Sequence, residues 1–271
     1  MKRKVIILIV SINFCFFQYG FSQVLGKKIK DIKFKGVAQV SVDRLGNFFV
    51  IAKNGTIKKY DPQGKELATL KRAQSTLLEP WFHPIIFLYN QKKQTVTNYG
   101  RYFENARITP LDPAWAIEPT LACPTNDNKI WIYDGSDTSL KKVNPLTQEV
   151  MSEFSIDTTQ FKNKPHFTHL REYQSMLFLL DPAVGIFIYS NIGKSIDQIQ
   201  IPGLNHFNFF GEELYYIHDK NIVFHDLFSE EERKIAVEGD FQFVLVTDER
   251  ILLIHQKKGS LYEFNPQPNE K

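Results

Sequence analysis

Hydrophobic and polar positions alternate along this chain in short bursts, and the bursts come in sets bounded by turn formers. The clearest set is Val40 to Leu70, VSVDRLGNFFVIAKNGTIKKYDPQGKELATL. Val40 to Asp43 alternates, and Asp43-Arg44-Leu45-Gly46-Asn47 supplies the Asp, Gly and Asn that tight turns use for side-chain-to-backbone bonds and positive φ. Phe48 to Ala52 is an apolar run of strand length. Asn54-Gly55 is the strongest short hairpin signal, because a type I′ turn needs φ > 0 at both central residues. Ile57 and Tyr60 fall in a third strand, and Asp61-Pro62-Gln63-Gly64 turns the chain into a fourth, Glu66 to Leu70. The stretch therefore predicts one four-stranded antiparallel unit.

The third strand of that unit is echoed. Ile57/Tyr60/Asp61, Val96/Tyr99/Gly100, Leu140/Val143/Asn144, Ile186/Tyr189/Ser190, Ile222/His225/Asp226 and Leu261/Phe264/Asn265 share one spacing, with starts 39, 44, 46, 36 and 39 residues apart. A strand-length apolar run precedes each, for example Phe87-Leu88-Tyr89, Ile130 to Tyr133 and Ile251 to Ile254. Six copies at a period near 40, four strands to the copy, predict an all-β, six-bladed β-propeller, in which each sheet buries its faces against its neighbours. The last copy supplies three strands only, Phe241 to Thr247, Arg250 to Gln256 and Gly259 to Phe264. Lys27 to Lys35, KKIKDIKFK, reads as a lone strand before the first copy, so it is expected to complete the sixth blade and close the ring. Its lysines suit an outermost position, where charge blocks edge-to-edge pairing.

Asp43, Gly46, Asn47, Val50, Ile57, Tyr60, Asp61, Gly64 and Lys65 make the first copy resemble the repeat of NHL-type six-bladed propellers. Later copies keep the apolar skeleton and lose most of the glycines. The resemblance implies an architecture for the whole mature chain and no particular activity.

Residues 1 to 22 stand outside the repeat. Lys2-Arg3-Lys4 is a positive start, Val5 to Phe17 an apolar run, and Gly20-Phe21-Ser22 offers small residues at −3 and −1 before Gln23. This is the pattern of a secretory signal peptide, too short to span a bilayer, leaving one propeller domain over residues 23 to 271 and no transmembrane segment in the mature chain. The Phe-Ser-Gln ending and the Lys/Asn/Ile/Phe-rich composition resemble exported proteins of Bacteroidota. Removal of the leader takes three of the 33 basic residues and none of the 30 acidic ones, so the mature chain is balanced. The slightly basic balance of the whole chain therefore gives no sign of nucleic-acid binding, which uses a clustered basic excess, and no nucleic-acid partner is expected. Cys123 becomes the lone cysteine, so no internal disulfide forms, and the reading is a monomeric propeller in the periplasm or cell envelope.

Candidate chemistry is sparse. Leu78 to Pro84 and Leu111 to Glu118 place Trp81, His83, Trp115 and Glu118 at expected inter-blade connections. Thr158 to Thr168 and Gly203 to Phe207 place His166, His169, Arg171 and His206 at or just after two more, around one mouth of the central channel. There is no H-E-x-x-H, G-x-S-x-G, P-loop or G-x-G-x-x-G, so neither a metal nor a cofactor is expected. Propellers of the lactonase type hold calcium with Glu, Asn and Asp at inner strand ends, and Val37 to Val40 offers no carboxylate there. The expected function is a non-catalytic scaffold for a protein or peptide partner in the envelope. Trp81, His83, Trp115, Glu118, His166, His169, Arg171 and His206 are the candidate contacts, with Trp115 and Arg171 as anchors. A calcium-dependent lactonase-like hydrolase and a carbohydrate-binding module with Trp81 and Trp115 as stacking platforms are the alternatives.

Overall fold

The computed structural model describes residues 24–82, 84–159, 161 and 163–266. The expected signal segment lies outside them. Strand β1 (Lys28–Lys33) precedes the first blade, which is β2 (Val37–Val42), β3 (Phe48–Ala52), β4 (Ile57–Tyr60) and β5 (Glu66–Leu70). Blade 2 is β6 (Leu77–Glu79), β7 (Ile86–Asn90), β8 (Thr95–Tyr99) and β9 (Arg107–Pro110); blade 3 is β10 (Pro119–Pro124), β11 (Ile130–Asp134), β12 (Ser139–Asn144) and β13 (Glu149–Ser155). Blade 4 is β14 (His169–Tyr173), β15 (Met176–Asp181), β16 (Gly185–Ser190) and β17 (Ser195–Gln200). Blade 5 is β18 (Asn208–Phe210), β19 (Glu213–His218), β20 (Asn221–Asp226) and β21 (Glu232–Ala236), followed by β22 (Phe243–Val246), β23 (Arg250–His255) and β24 (Lys258–Glu263). Each sheet is a four-stranded antiparallel meander, and the sixth has the order β1-β24-β23-β22. The chain is a six-bladed β-propeller whose ring is closed by its N-terminal strand, as the missing strand of the last copy predicted.

The apolar runs are explained by the seams between blades. Six buried clusters fill six seams, from blade 1 against blade 2 (Phe49, Ile51, Leu78, Leu88) round to blade 6 against blade 1 (Leu245, Leu252, Val40, Phe48). Side chains of a strand alternate between faces, and in a blade both faces are covered. In β7, Ile86 and Leu88 therefore enter the seam with blade 1 while Phe87 and Tyr89 enter the seam with blade 3. The fourth strand of each blade is largely exposed, which accounts for the polar alternation of β5, β9 and β13.

The repeat signature closes turns. Asp43 Oδ1 accepts hydrogen bonds from the amides of Leu45 (3.0 Å) and Asn47 (2.9 Å), and the Asn47 amide group donates back to both carboxylate oxygens. Lys59 Nζ lies 3.2 Å from Asp43 Oδ2 with both side chains buried, and Asp61 Oδ1 accepts from the amide of Lys65 at 2.7 Å. Gly55 sits at φ +78°, and a Cβ there would lie 2.5 Å from the Ala73 carbonyl oxygen, so the Asn54-Gly55 turn requires glycine on both counts. Cys123 and Trp131 are fully buried in the seam between blades 3 and 4, and burial pushes the Cys123 thiol well up. Among the described residues no helix is long and apolar enough to cross a membrane.

Candidate functional site

Antiparallel meanders divide the disc into two faces. One carries the inter-blade crossings and the turns between second and third strands; the other carries the remaining turns. The first strand of every blade is innermost, and all six run from the crossing face to the turn face.

Leu77–Glu79 forms the innermost strand β6 of blade 2, so Pro80 to Phe82, which follow it, stand on the opposite face from the crossings. This corrects the placement of Trp81, which the sequence had put at an inter-blade connection; the inner strand is three residues long, too short to show a period of two. Trp81 is half-buried, packs edge-on against Tyr173 at 5.5 Å and carries the Arg44 guanidinium over its ring at 5.3 Å. Tyr173 in turn stacks on Phe209 at 4.1 Å. Trp81 and Phe209, with Arg44, Leu45 and Asp248, line a cleft of about 440 Å³ on the turn face. His83 lies outside the described residues.

Arg171, on the middle of β14, is buried in the channel, 6% exposed. Its Nε is 2.5 Å from Glu79 Oε2, its Nη2 donates to Glu79 Oε1 at 3.2 Å, and its Nη1 donates to Asn208 Oδ1. Glu79 belongs to blade 2, Arg171 to blade 4 and Asn208 to blade 5. The pair thus skips blade 3 and ties the ring across its axis. Burial pushes the Glu79 carboxyl up, and Arg171 and the Trp81 amide oppose that shift. Glu79 and Asn208 are channel residues that the sequence reading missed; an acidic residue inside the apolar run Leu77-Leu78-Glu79 was the available signal.

Above Arg171, toward the crossing face, the rings of His169 and His206 meet edge-on at 5.9 Å, and both nitrogens of buried His206 lack a protein partner. Burial, then the Arg171 charge, lowers His169 to about 4; burial, then His169 and Arg171, holds His206 well below the ordinary histidine value. Both rings are neutral in the folded protein at neutral pH. The unfolded chain takes up protons as pH falls below the ordinary histidine value of 6.5, whereas the folded chain resists until about 4. Stability is therefore expected to fall on acidification across that window. Thermal melts at pH 7.5 and pH 5 test this: the His206→Phe variant loses less on acidification than the wild type, and equal losses would refute the assignment.

Trp115 is buried in the seam between blades 2 and 3, 5% exposed, with Nε1 donating to the Gln148 carbonyl at 3.2 Å. Its position is that of a packing residue, because the crossing before β10 folds back between the blades instead of standing off the disc. The anchors named from sequence, Trp115 and Arg171, are both inside.

Glu118 and His166 are exposed and meet at the crossing face. Together with Lys164, Thr120, Thr168 and Gln91 they line a cleft of about 470 Å³ beside the channel mouth, walled by blades 2 and 3 and the crossing into blade 4. Asp134 Oδ1 and Oδ2 accept the amides of Glu118 (3.0 Å) and Ile117 (2.8 Å), and Asp181 Oδ2 accepts the amide of His166 at 2.9 Å. Both crossings are pinned by carboxylates at the ends of second strands. Lys164 Nζ stands 3.9 Å from Glu118 Oε2 with both side chains exposed. Of the eight candidate contacts, the fold brings Glu118 and His166 together at this mouth and His169, Arg171 and His206 together in the channel below. Among the described residues no group of three or more His, Cys, Asp or Glu is placed to hold a metal ion.

No family model and no curated protein matches the chain. Solved structures do. The extracellular domain of BT4673 from B. thetaiotaomicron is 9% identical with a TM-score of 0.54 over 85% of this chain, which spans about a third (34%) of that domain. Virginiamycin B lyase from Staphylococcus aureus is 11% identical with a TM-score of 0.56, covering 87% of this chain and 98% of the lyase. BBS1N, solved in complex with ARL6DN, is 9% identical with a TM-score of 0.58 over 92% of this chain and 100% of its own. An enzyme, an extracellular domain and a protein-binding domain share this scaffold at identities where the likeness extends to the fold alone. The chain is a six-bladed β-propeller by its own topology and by these neighbours.

Proposed function

We propose that this protein is an exported, non-catalytic scaffold that holds a protein or peptide partner in the cell envelope, engaging it at the crossing-face mouth around Glu118 and His166. The observation that carries this reading is the contrast between the two groups of polar residues. Arg171, Glu79, Asn208 and His206 are buried and hold the ring together, whereas Glu118, Lys164 and His166 stand exposed round a cleft on a rigid framework. Loops positioned by such a framework bind without needing chemistry. Residues 1 to 22 support export, and the BT4673 extracellular domain and the BBS1N–ARL6DN complex show that the fold serves outside the cell and binds proteins elsewhere. Trp81 lies beneath Arg44 and Trp115 in a seam, which leaves neither as an open platform for a sugar ring.

Crosslinking in intact cells with a photoreactive residue at Glu118 or His166 tests the reading. The tagged chain, recovered with Gln23 as its first residue, is expected to carry one discrete crosslinked partner from these positions and none from Ile196 or Leu67 on the exposed fourth strands. Equal crosslinking from all four positions would overturn it.

A further inference from the structure

We propose that the crossing-face cleft recognises the primary ammonium group at the free N-terminus of a peptide, against the carboxylate of Glu118; this rests on the peptide-binding reading above. Four carboxylates, those of Asp134, Asp137, Asp181 and Glu118, act on one buried phenol, Tyr133, in the wall of the cleft. Burial, and after it these carboxylates, pushes its hydroxyl to about 12. Three of the four are committed within the fold. Asp134 and Asp137 share Lys141 Nζ at 2.9 and 3.0 Å, and Asp181 accepts the amides of His166 and Ala183. Glu118 is the one of the four that lines the cleft, with its side chain 60% exposed. The cleft is thus lined, among the described residues, by a single carboxylate, and the buried Tyr133 hydroxyl in its wall lacks a hydrogen-bond partner.

The chain itself shows which group this wall accepts. Lys164 places an ammonium 3.9 Å from Glu118, at 61% exposure, a distance and exposure at which an ion pair gains little over water and is readily displaced. Gly135 gives room to Thr120, since a Cβ there would lie 2.9 Å from Thr120 Cγ2, and it leaves the Glu118 carboxylate in ordinary contact with the turn at 3.5 Å. Leu121, Tyr133, Pro165 and Phe167 also line the cleft but are buried, so the accessible lining past Glu118 is Thr120, Thr76, Gln91 and Thr168. Hydroxyls and an amide suit the carbonyls and amides of a main chain, whereas a lysine stem of four methylenes would need apolar walls. The free end of a chain therefore fits better than a basic side chain.

Calorimetric titration of the purified protein with three probes tests this: Gly-Ala-Ala-amide, its N-acetylated form, and acetyl-Ala-Lys-Ala-amide. The first is expected to bind saturably and the other two at least tenfold more weakly. Glu118→Gln is expected to lower affinity for the first probe at least tenfold with an unchanged melting temperature, and Lys164→Gln to raise it severalfold by removing the internal competitor. Equal affinity for the free and acetylated forms overturns the inference while the peptide-binding reading stands. Preference for the lysine probe overturns the N-terminus as the source of the ammonium. Binding by none of the three overturns the inference alone, because the crosslinking experiment judges the scaffold reading without these probes.

Discussion

A chain lacking residues 28–34 is expected to lose its cooperative fold or to melt more than 10 °C below the intact protein. β1 pairs with β24 along its whole length, from Lys28 against Tyr262 to Lys33 against Lys258. Ile32 and Phe34 are buried in the seam between blades 6 and 1, and the Phe34 ring meets Tyr60 of blade 1 edge-on at 5.9 Å. Gly259 faces that ring so closely that a Cβ would lie 2.5 Å from it. Burying Ile32 and Phe34 contributes about 1.5–3 kcal/mol each, and each ladder bond about 0.5–1.5 kcal/mol net. A domain whose whole stability is on the order of 5–15 kcal/mol does not survive that loss intact. The deletion also frees β24 as an edge and removes the only covalent reason for the first and last copies to meet. Circular dichroism melts of the two chains decide the matter, and a synthetic peptide of residues 24–35 added to the truncated chain should recover part of the difference. Identical melting temperatures would mean that the ring is held without β1.

Arg171→Ala is expected to destabilise the protein by about 3–5 kcal/mol, because it leaves the Glu79 carboxylate buried beside a vacant cationic position. For a domain of this size that corresponds to a melting temperature lower by roughly 10 °C. The double change Glu79→Leu with Arg171→Met should restore most of the loss, since replacing both members of a buried pair with apolar side chains is often neutral or better. The two single variants and the double variant form a thermodynamic cycle whose coupling energy measures the bridge directly. A melting temperature unchanged in Arg171→Ala would show that the bridge contributes nothing. This expectation reverses the one that follows from reading Arg171 as a surface anchor, which predicted weakened partner capture on an unaltered fold.

The sequence by itself determined the architecture. A strand covered on both faces is apolar along its buried length, so the second strands of the six blades appear as unbroken runs such as Phe48 to Ala52 and Ile251 to Ile254, and their recurrence counts the blades. Turn chemistry at Asn54-Gly55 and Asp61 to Gly64 marks the hairpins, and the missing strand in the last copy foretold the role of Lys28 to Lys33. These are relations between residues close in sequence, or between one repeat and the next, and local periodicity encodes them.

The tertiary structure alone decided which polar residues meet. Arg171 finds Glu79 at a separation of 92 residues and Asn208 at 37, because closure of the ring turns the innermost strands of three blades toward one axis. No spacing along the chain specifies which side chains face each other across that axis. The same closure sorted the candidate contacts. Trp115 was drawn into a seam, Trp81 went to the opposite face through the turn after a three-residue strand, and Glu118 and His166 were left exposed at the mouth of one cleft. Burial depends on what a neighbouring blade places opposite a residue, and that neighbour's contribution becomes fixed only when the ring is complete.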